Sequence, residues 1–403
     1  MPCTRSRLKR LCIVQPILSN YGLPVFLELA QHCQIDLLYA AAPPEAGFGP
    51  VSLSDAPNLR GFPVGAFKPL GDRLGIFHRG LLAYIFRQRP DTLLLSANMR
   101  NLSFWGAVVC GKFLGIPVYA HGHGPFKKRT LSTAYRGAMR VLLRLVTSYI
   151  CYAPAVRQSF IDHGFDDKKL TIAHNSVVNP FPVRPEEKNG KERGILFVGR
   201  LRHGSNLQLL SRVVARVRHL DGLPLILHVI GAGEEAAPLR DEVRDCPWVV
   251  LHGEIYDAKR IREVSLDCFL GCYPGDAGLS VVHLMSLSLP VVTHNNLRAH
   301  GPEPSFIRDG VSGWLYDYAD PEPSLYQAIR SLASDPAKVA EMRQNAFADY
   351  QSLADPSLAE RLWAIIGGSE SLRSVAVSDE LAPEAELASQ PQISQPNIGA
   401  GHP

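Results

Sequence analysis

Short apolar runs rich in Val, Ile and Leu alternate with longer stretches of helical periodicity, and this alternation starts, stops and starts again along the chain. Leu11 to Ile17, Ile35 to Tyr39, Thr92 to Ser96 and Val118 to Ala120 read as buried strands with helix-like segments between them. Residues 179–193 break the rhythm with a polar, proline-rich stretch. It resumes with Gly194 to Gly199, Leu225 to Ile230, Val249 to His252, Cys268 to Cys272 and Val291 to His294. Strand and helix in strict alternation is the pattern of βαβ units around a parallel sheet, so the expected architecture is two doubly wound α/β domains joined by a linker. The first spans residues 1–178, the linker 179–193, and the second 194–367, with the helical stretch Ser324 to Gly367 at its end. Residues 368–403 are rich in Ser, Ala, Glu, Pro and Gln, contain no aromatic residue, and are expected to be disordered.

Composition narrows what such a pair of domains does. With 46% hydrophobic residues in 403, each domain can bury a core without staples. A formal charge of +4 over that length does not call for nucleic acid as a partner. The longest apolar runs fall well short of the roughly 20 residues that cross a bilayer. Arg5, Arg7, Lys9 and Arg10 precede the apolar run Leu11 to Leu18 in the manner of a secretory leader, but no small-residue cleavage site follows, so the run is read as the first strand. The eight cysteines are scattered without a CxxC pair, which suggests reduced thiols and a cytoplasmic setting.

In open parallel sheets ligands sit beyond the carboxyl ends of the strands, so function is sought where two such ends face each other. The run Ile195 to Leu201 places Arg200 directly after a buried strand and a glycine. A guanidinium fork there suits a diphosphate, and the alternative is an ordinary surface arginine at a strand end. Tyr273-Pro274-Gly275-Asp276-Ala277-Gly278-Leu279-Ser280 follows another strand and opens a helix, with Ser280 as the expected N-cap. Its glycines let the backbone approach a ligand, and free amides at a helix start favour an anion. By itself it is equally a common glycine turn. Tyr119-Ala120-His121-Gly122-His123-Gly124 presents His123 to the cleft, to hydrogen-bond a sugar hydroxyl or to move protons near neutral pH. HxH has no third ligand in the sequence, so no metal is expected. Lys127, Lys128 and Arg129, followed by Arg136, Arg140 and Arg144 four apart on one helical face, form either a solvated basic stripe or a dock for anionic lipid.

Taken together, these segments resemble the retaining GT-B glycosyltransferases of family 4, the "group 1" transferases that build bacterial surface polysaccharides and glycolipids. The similarity covers roughly residues 11 to 365. It is most specific in Ile195 to Leu210, in VIGAGE at Val229 to Glu234, in His252 to Tyr256, and in Tyr273 through Asn296 with Gly301-Pro302-Glu303 downstream. The helix after Tyr273 resembles a branch carrying His283 where other members carry glutamate. The resemblance implies a GT-B fold, two Rossmann-like domains facing across a cleft. It also implies transfer of a sugar from a nucleotide-diphosphate sugar to a glycan or lipid-linked acceptor, with retention of configuration. Such a protein needs no metal or other cofactor; the cysteine pattern sets it in the cytoplasm, and the basic stripe leaves open a peripheral contact with the inner membrane surface.

Carried over residue by residue, Arg200 contacts the donor diphosphate, and the amides around Gly278, Leu279 and Ser280 hold its distal phosphate and sugar. His123 falls on the family's first-domain histidine, Glu303 lies in the late PE element beside nucleoside or sugar, and Tyr21 and Gly22 occupy the loop toward the acceptor. Four positions depart from the pattern. Ser205 stands where the family has a second phosphate-clamping lysine. Gly275 and His283 stand at its two glutamates, with Asp276 beside the first. Gly22 replaces a basic residue. Arg202 or His203 is then the candidate for the lost phosphate charge. The departures keep open a different reading, a catalytically silent GT-B protein that binds a glycan or scaffolds an assembly, and a nucleotide-sugar epimerase is a third.

Overall fold

The computed structural model describes residues 9–19, 22–40, 53, 57–67 and 77–367. Tyr21, Arg5, Arg7 and the tail from residue 368 lie outside the described residues. The first sheet contains β1 (Arg10–Gln15), β2 (Gln34–Tyr39), β3 (Leu59–Pro63), β4 (Thr92–Ser96), β5 (Val118–Gly122), β6 (Ser148–Cys151) and β7 (Leu170–Ile172), in the order β7-β6-β5-β4-β1-β2-β3. The second contains β8 (Gly194–Val198), β9 (Ile226–Ile230), β10 (Val249–Gly253), β11 (Cys268–Cys272), β12 (Val291–His294) and β13 (Gly313–Tyr316), in the order β10-β9-β8-β11-β12-β13. Every adjacent pair in both sheets is parallel. Helices therefore cover both faces, and the strands are apolar on both sides. Cys12 and Val14 of β1 enter one core while Leu11 and Ile13 enter another. The two doubly wound domains read from the sequence are present.

The strands that pattern reading did not find sit at sheet edges or are very short. β3 is LRGFP and β13 is GWLY, each with a glycine and neither showing strict alternation, and β7 has three residues. β6 is fully buried but only four residues long. The terminal helical stretch divides into Pro321–Ser334, Pro336–Ala354 and Leu358–Gly367. The last of these does not close the second domain, as its position in the sequence suggested. Its Leu358, Ala359, Leu362 and Ile366 are buried with Leu11, Val25, Leu29 and Ile35, so the chain ends by completing the core of the first domain. The Ser357 hydroxyl donates to Glu28 at 2.6 Å and Lys9 donates to the Gly367 carbonyl at 2.9 Å.

The segment 179–193 is wired to the second domain and is more than a spacer. Lys188 is buried and donates to the carbonyls of Ser265 (2.5 Å) and Cys268 (2.9 Å). Glu192 and Arg343 form a buried pair at 3.0 Å. Across the cleft the two domains touch through Lys127 to the Ala299 carbonyl (3.2 Å), Arg298 to the Lys128 carbonyl (2.8 Å) and Phe306, which packs against both cores. The placement of the final helix is testable. Leu362→Ala should cost about 2–5 kcal/mol and shift the same denaturation transition as Leu29→Ala. A shift of the transition moved by Ile329→Ala instead would assign the helix to the second unit.

Candidate functional site

The order of the second sheet runs outward in opposite directions from β8 and β11, so a ligand crevice is expected at the carboxyl ends of these two central strands. Two backbone approaches shape it. Gly199 N–H donates to the Ile230 carbonyl at 3.0 Å and Leu201 N–H to the Ala232 carbonyl at 2.8 Å. A Cβ on Gly231 would lie 1.8 Å from the Gly199 carbonyl oxygen, and one on Gly233 would lie 2.3 Å from that of Leu201. The glycines of the VIGAGE run thus let the loop after β8 lie directly on the loop after β9. On its other side the same loop meets the one after β11. Asp276 N–H donates to the Gly204 carbonyl at 2.8 Å, and a Cβ on Gly275 would lie 2.0 Å from that oxygen.

This geometry explains two of the departures from the family pattern. A glutamate at 275 would collide with the backbone of Gly204, and the neighbouring Asp276 carries the carboxylate instead, its Oδ1 3.8 Å from His294 Nε2. Ser205 is 1% exposed, and its hydroxyl donates to the Arg202 carbonyl at 2.6 Å, closing the turn His203–Ser205. That side chain points inward, where a lysine could not clamp phosphate. Arg202 does not stand free to replace it. Its Nη2 donates to the Asp276 carbonyl at 2.9 Å, and its guanidinium also bonds Tyr273. Arg202 therefore fastens the two loops together, while Arg200 is exposed at the crevice beside Tyr273 and His203 is exposed on the turn.

The helix Ser280–Ser286 starts one residue earlier than expected. Leu279 is its N-cap, with no side-chain cap, so Ser280 is the first helical residue and not the cap. Ser280 Oγ faces Gly199, 3.3 Å from where a Cβ there would sit. His283, one turn in, is half-buried, and burial pushes its pKa down to about 4. Gly278 and Gly301 flank the Glu303 carboxylate. A Cβ on Gly301 would lie 2.3 Å from Glu303 Oε2, and one on Gly278 would lie 3.7 Å away. Glu303 is 2% exposed, its pKa is raised by burial, and its Oε1 accepts from Asn175 at 2.5 Å.

Two histidines that the sequence reading passed over hold this loop. His300 is fully buried, with Nδ1 accepting from Ala277 N–H at 2.9 Å and Nε2 donating to the His294 carbonyl at 2.9 Å. It stacks on the His294 ring at 3.8 Å. Both nitrogens of His300 are used by the neutral tautomer, and a second proton would cost the Ala277 bond. His294 has its pKa pushed down to about 3, by burial first and then by His300. The signal was present in the VTHNN and AHG runs, but only a packed structure shows that two histidines six apart stack.

From the first domain, His123 and the buried His121 both set a ring edge-to-face on Tyr152, at 4.8 and 4.3 Å. Gly124, at φ +50°, leaves room for the Phe160 ring, and its N–H donates to the Tyr149 hydroxyl at 2.9 Å. His123 keeps an exposed edge on the cleft wall, yet loss of hydration there, followed by the nearby Lys127 charge, pulls its pKa down to about 4. The lowered pKa favours the neutral imidazole near pH 7, a form suited to hydrogen bonding. Lys127 lies close enough to His123, His300 and Glu303 to act on all three. Gly22 caps the helix Leu23–Leu29 with its N–H on Ser19, whose Oγ is 3.2 Å away. Arg200, Arg202, Asp276, Gly278, Leu279, Ser280 and Glu303 are thus grouped around one crevice, with His123 and Lys127 on the facing wall. Among the described residues no group of three or more His, Cys, Asp or Glu is arranged to hold a metal ion.

Comparison with known proteins follows the two domains. Residues 26–178 match the family model described as Glycosyltransferase Family 4, and residues 192–335 the one described as Glycosyl transferases group 1. The chain has the GT-B fold, with one domain similar to each of these glycosyltransferase families. The O-antigen biosynthesis glycosyltransferase WbnH of Escherichia coli is 28% identical over 127 residues, 31% of this chain and 35% of that protein. The similarity thus spans about a third of that relative's length. A glycosyltransferase from Rickettsia africae ESF-5 superimposes with TM-score 0.66 at 11% identity, over 89% of this chain and 97% of that one. Anabaena Alr3699/HepE in complex with UDP superimposes with TM-score 0.64 at 15% identity, over 91% of this chain and all of that one. At such identities the structures share the fold.

The buried histidines of this GT-B chain give it a pH dependence. His121, His294 and His300 have native pKa values below the ordinary 6.5, at about 3 for the first two and lowered for the third, by burial first in each. Between pH 6.5 and those values the unfolded chain binds protons that the native chain refuses. Stability therefore rises with pH across that window and falls as pH drops, by about 1.4 kcal/mol per pH unit for each of His121 and His294, with His300 acting in the same direction. The melting temperature should be level above pH 7 and decline steadily from pH 6.5 to 4. A midpoint that stays level down to pH 4 would contradict three neutral buried imidazoles.

Proposed function

We propose that the protein transfers a sugar from a nucleotide-diphosphate sugar to a glycan or lipid-linked acceptor in bacterial surface polysaccharide synthesis. It does so with retention, in the cytoplasm at the inner membrane surface. The observation that carries this reading is the crevice in which the loops after β8 and β11 are fastened together, with Arg200 exposed at its mouth and the uncapped helix at Ser280 behind it. A departing diphosphate meets the Arg200 guanidinium and the amides of Gly278, Leu279 and Ser280, which are oriented before the bond breaks. Arg202 acts through the backbone it holds. The neutral His123 orients the sugar by a hydrogen bond, and Glu303, fixed by Asn175, receives a hydroxyl of the donor. Domain closure excludes water. In this reading no metal is required, because the arginine and the helix start supply the positive potential.

A second reading, a silent GT-B protein that binds a glycan or scaffolds an assembly, is favoured by one observation. Ser205 faces inward, so the position contributes no phosphate charge. Calorimetric titration with UDP, GDP and ADP separates the two. One nucleotide should bind, and Arg200→Ala should weaken it at least tenfold, about 1.4 kcal/mol. Folded protein that binds none of the three would leave the silent reading standing.

A further inference from the structure

The two ends of the crevice are held differently. The end at Arg200 is assembled within the second domain: Arg202 donates to the Asp276 carbonyl, Ser205 to the Arg202 carbonyl, and the amides of Gly199 and Leu201 to the loop after β9. The segment 295–306, which follows β12, is gripped from the first domain as well. Lys127 donates to the Ala299 carbonyl at 3.2 Å, Arg298 donates to the Lys128 carbonyl at 2.8 Å, and the His174 ring stands edge-on to Phe306 at 5.5 Å. Within that contact the Asn175 side-chain amide donates to Glu303 Oε1 at 2.5 Å. The turn Glu303–Phe306 thus carries a carboxylate of one domain to a partner on the other.

Asn175 is itself anchored on the first domain. It lies just past β7, and its N–H donates to the Tyr152 carbonyl at 2.8 Å; the Tyr152 ring is the one on which His121 and His123 stand. The last torsion of a glutamate is broad, so a carboxylate without a fixed partner swings its oxygens over a wide arc. Here the amide takes Oε1 and leaves Oε2 beside Gly278 and Gly301. A Cβ on Gly278 would meet no other atom within 4 Å apart from its chain neighbours, so this oxygen borders open space at the turn where the helix Ser280–Ser286 begins. Burial opposes a charge on Glu303, while its own backbone amide, the Asn175 bond and the Lys127 ammonium favour one. The last two come from the first domain, which therefore sets both the direction and the charge of a carboxylate that belongs to the second.

We infer that Asn175 is a positioning residue for the donor sugar. It turns the Glu303 carboxylate toward Gly278 when the first domain is docked on the segment 295–306, so that recognition of the sugar depends on contact between the domains and recognition of the free nucleotide does not. This deepens the proposed function and rests on its reading of Glu303 as the group that receives a donor hydroxyl.

Calorimetry on the full chain tests this, first with UDP, GDP and ADP and then with the glucose, galactose, mannose and N-acetylglucosamine esters of the nucleotide that binds. Glu303→Gln should weaken at least one of these esters, which marks the donors whose sugar touches the carboxylate. Asn175→Ala should weaken the same donors about tenfold while holding the free nucleotide within about twofold of wild type. In the Glu303→Gln background it should add nothing, because the two residues act as one unit. Asn175→Asp keeps the size of the side chain and serves where the alanine variant does not fold. At pH 8 its charge faces that of Glu303 and donor binding should be lost; toward pH 6 one proton held between the two carboxyls restores a donor to Oε1, and binding should recover. A general loosening of the fold gives no such recovery. The inference is overturned if Asn175→Ala binds the donors as wild type does, if it loses the free nucleotide to the same degree, if Glu303→Gln changes none of the esters, or if Asn175→Asp stays weak at pH 6. Each of those results leaves the nucleotide site standing, whereas folded wild type that binds no nucleotide overturns the proposed function and this inference with it.

Discussion

The site depends on how closely three loops can pass. The loop after β8 is pressed between the loops after β9 and β11, with main-chain hydrogen bonds on both sides and no side chain in between. Gly231, Gly233 and Gly275 make that possible, since a Cβ at any of them would fall within 2.3 Å of a carbonyl oxygen of the neighbouring loop. Arg202 then ties the two loop tips from the side, and the His294–His300 stack braces the segment behind them. Arg200 and the start of the helix Ser280–Ser286 are consequently presented on a backbone that has little freedom to move. For stabilising a leaving anion this matters more than the number of cations, because dipoles that are already oriented cost nothing to reorganise.

The same constraint accounts for what at first reads as loss. Neither a lysine at 205 clamping phosphate nor a glutamate at 275 fits the loop contact of this chain. Here Ser205 faces inward to close a turn, and Gly275 is a contact point. The carboxylate next in sequence, Asp276, sits beside His294. Both departures from the family pattern thus fall at one contact between the loops after β8 and β11.

The fold was legible in the sequence to the degree that burial was. β4, β11 and β12 were read to the residue, since strands covered on both faces leave an unbroken apolar run. Edge strands such as β3 and β13 left no such mark. The placement of the helix Leu358–Gly367 on the far domain could not be read, because an amphipathic stripe does not say which core receives it. In the site, Arg200 and the Gly278–Ser280 turn were visible as residue types at strand ends. The roles of His300, Asn175 and Lys127 were not, since each depends on a partner 23 to 172 positions away.

Hydrogen exchange of the full chain, with and without UDP, GDP or ADP, tests the central claim that the fastened loops form the anion cradle. With the nucleotide that binds, added protection should fall on the segments covering Gly199 to Ser205 and Asp276 to Ser280, with little change in β10 or in the helix Leu102–Phe113. Protection confined to the first domain, or binding with no change in either segment, would contradict it.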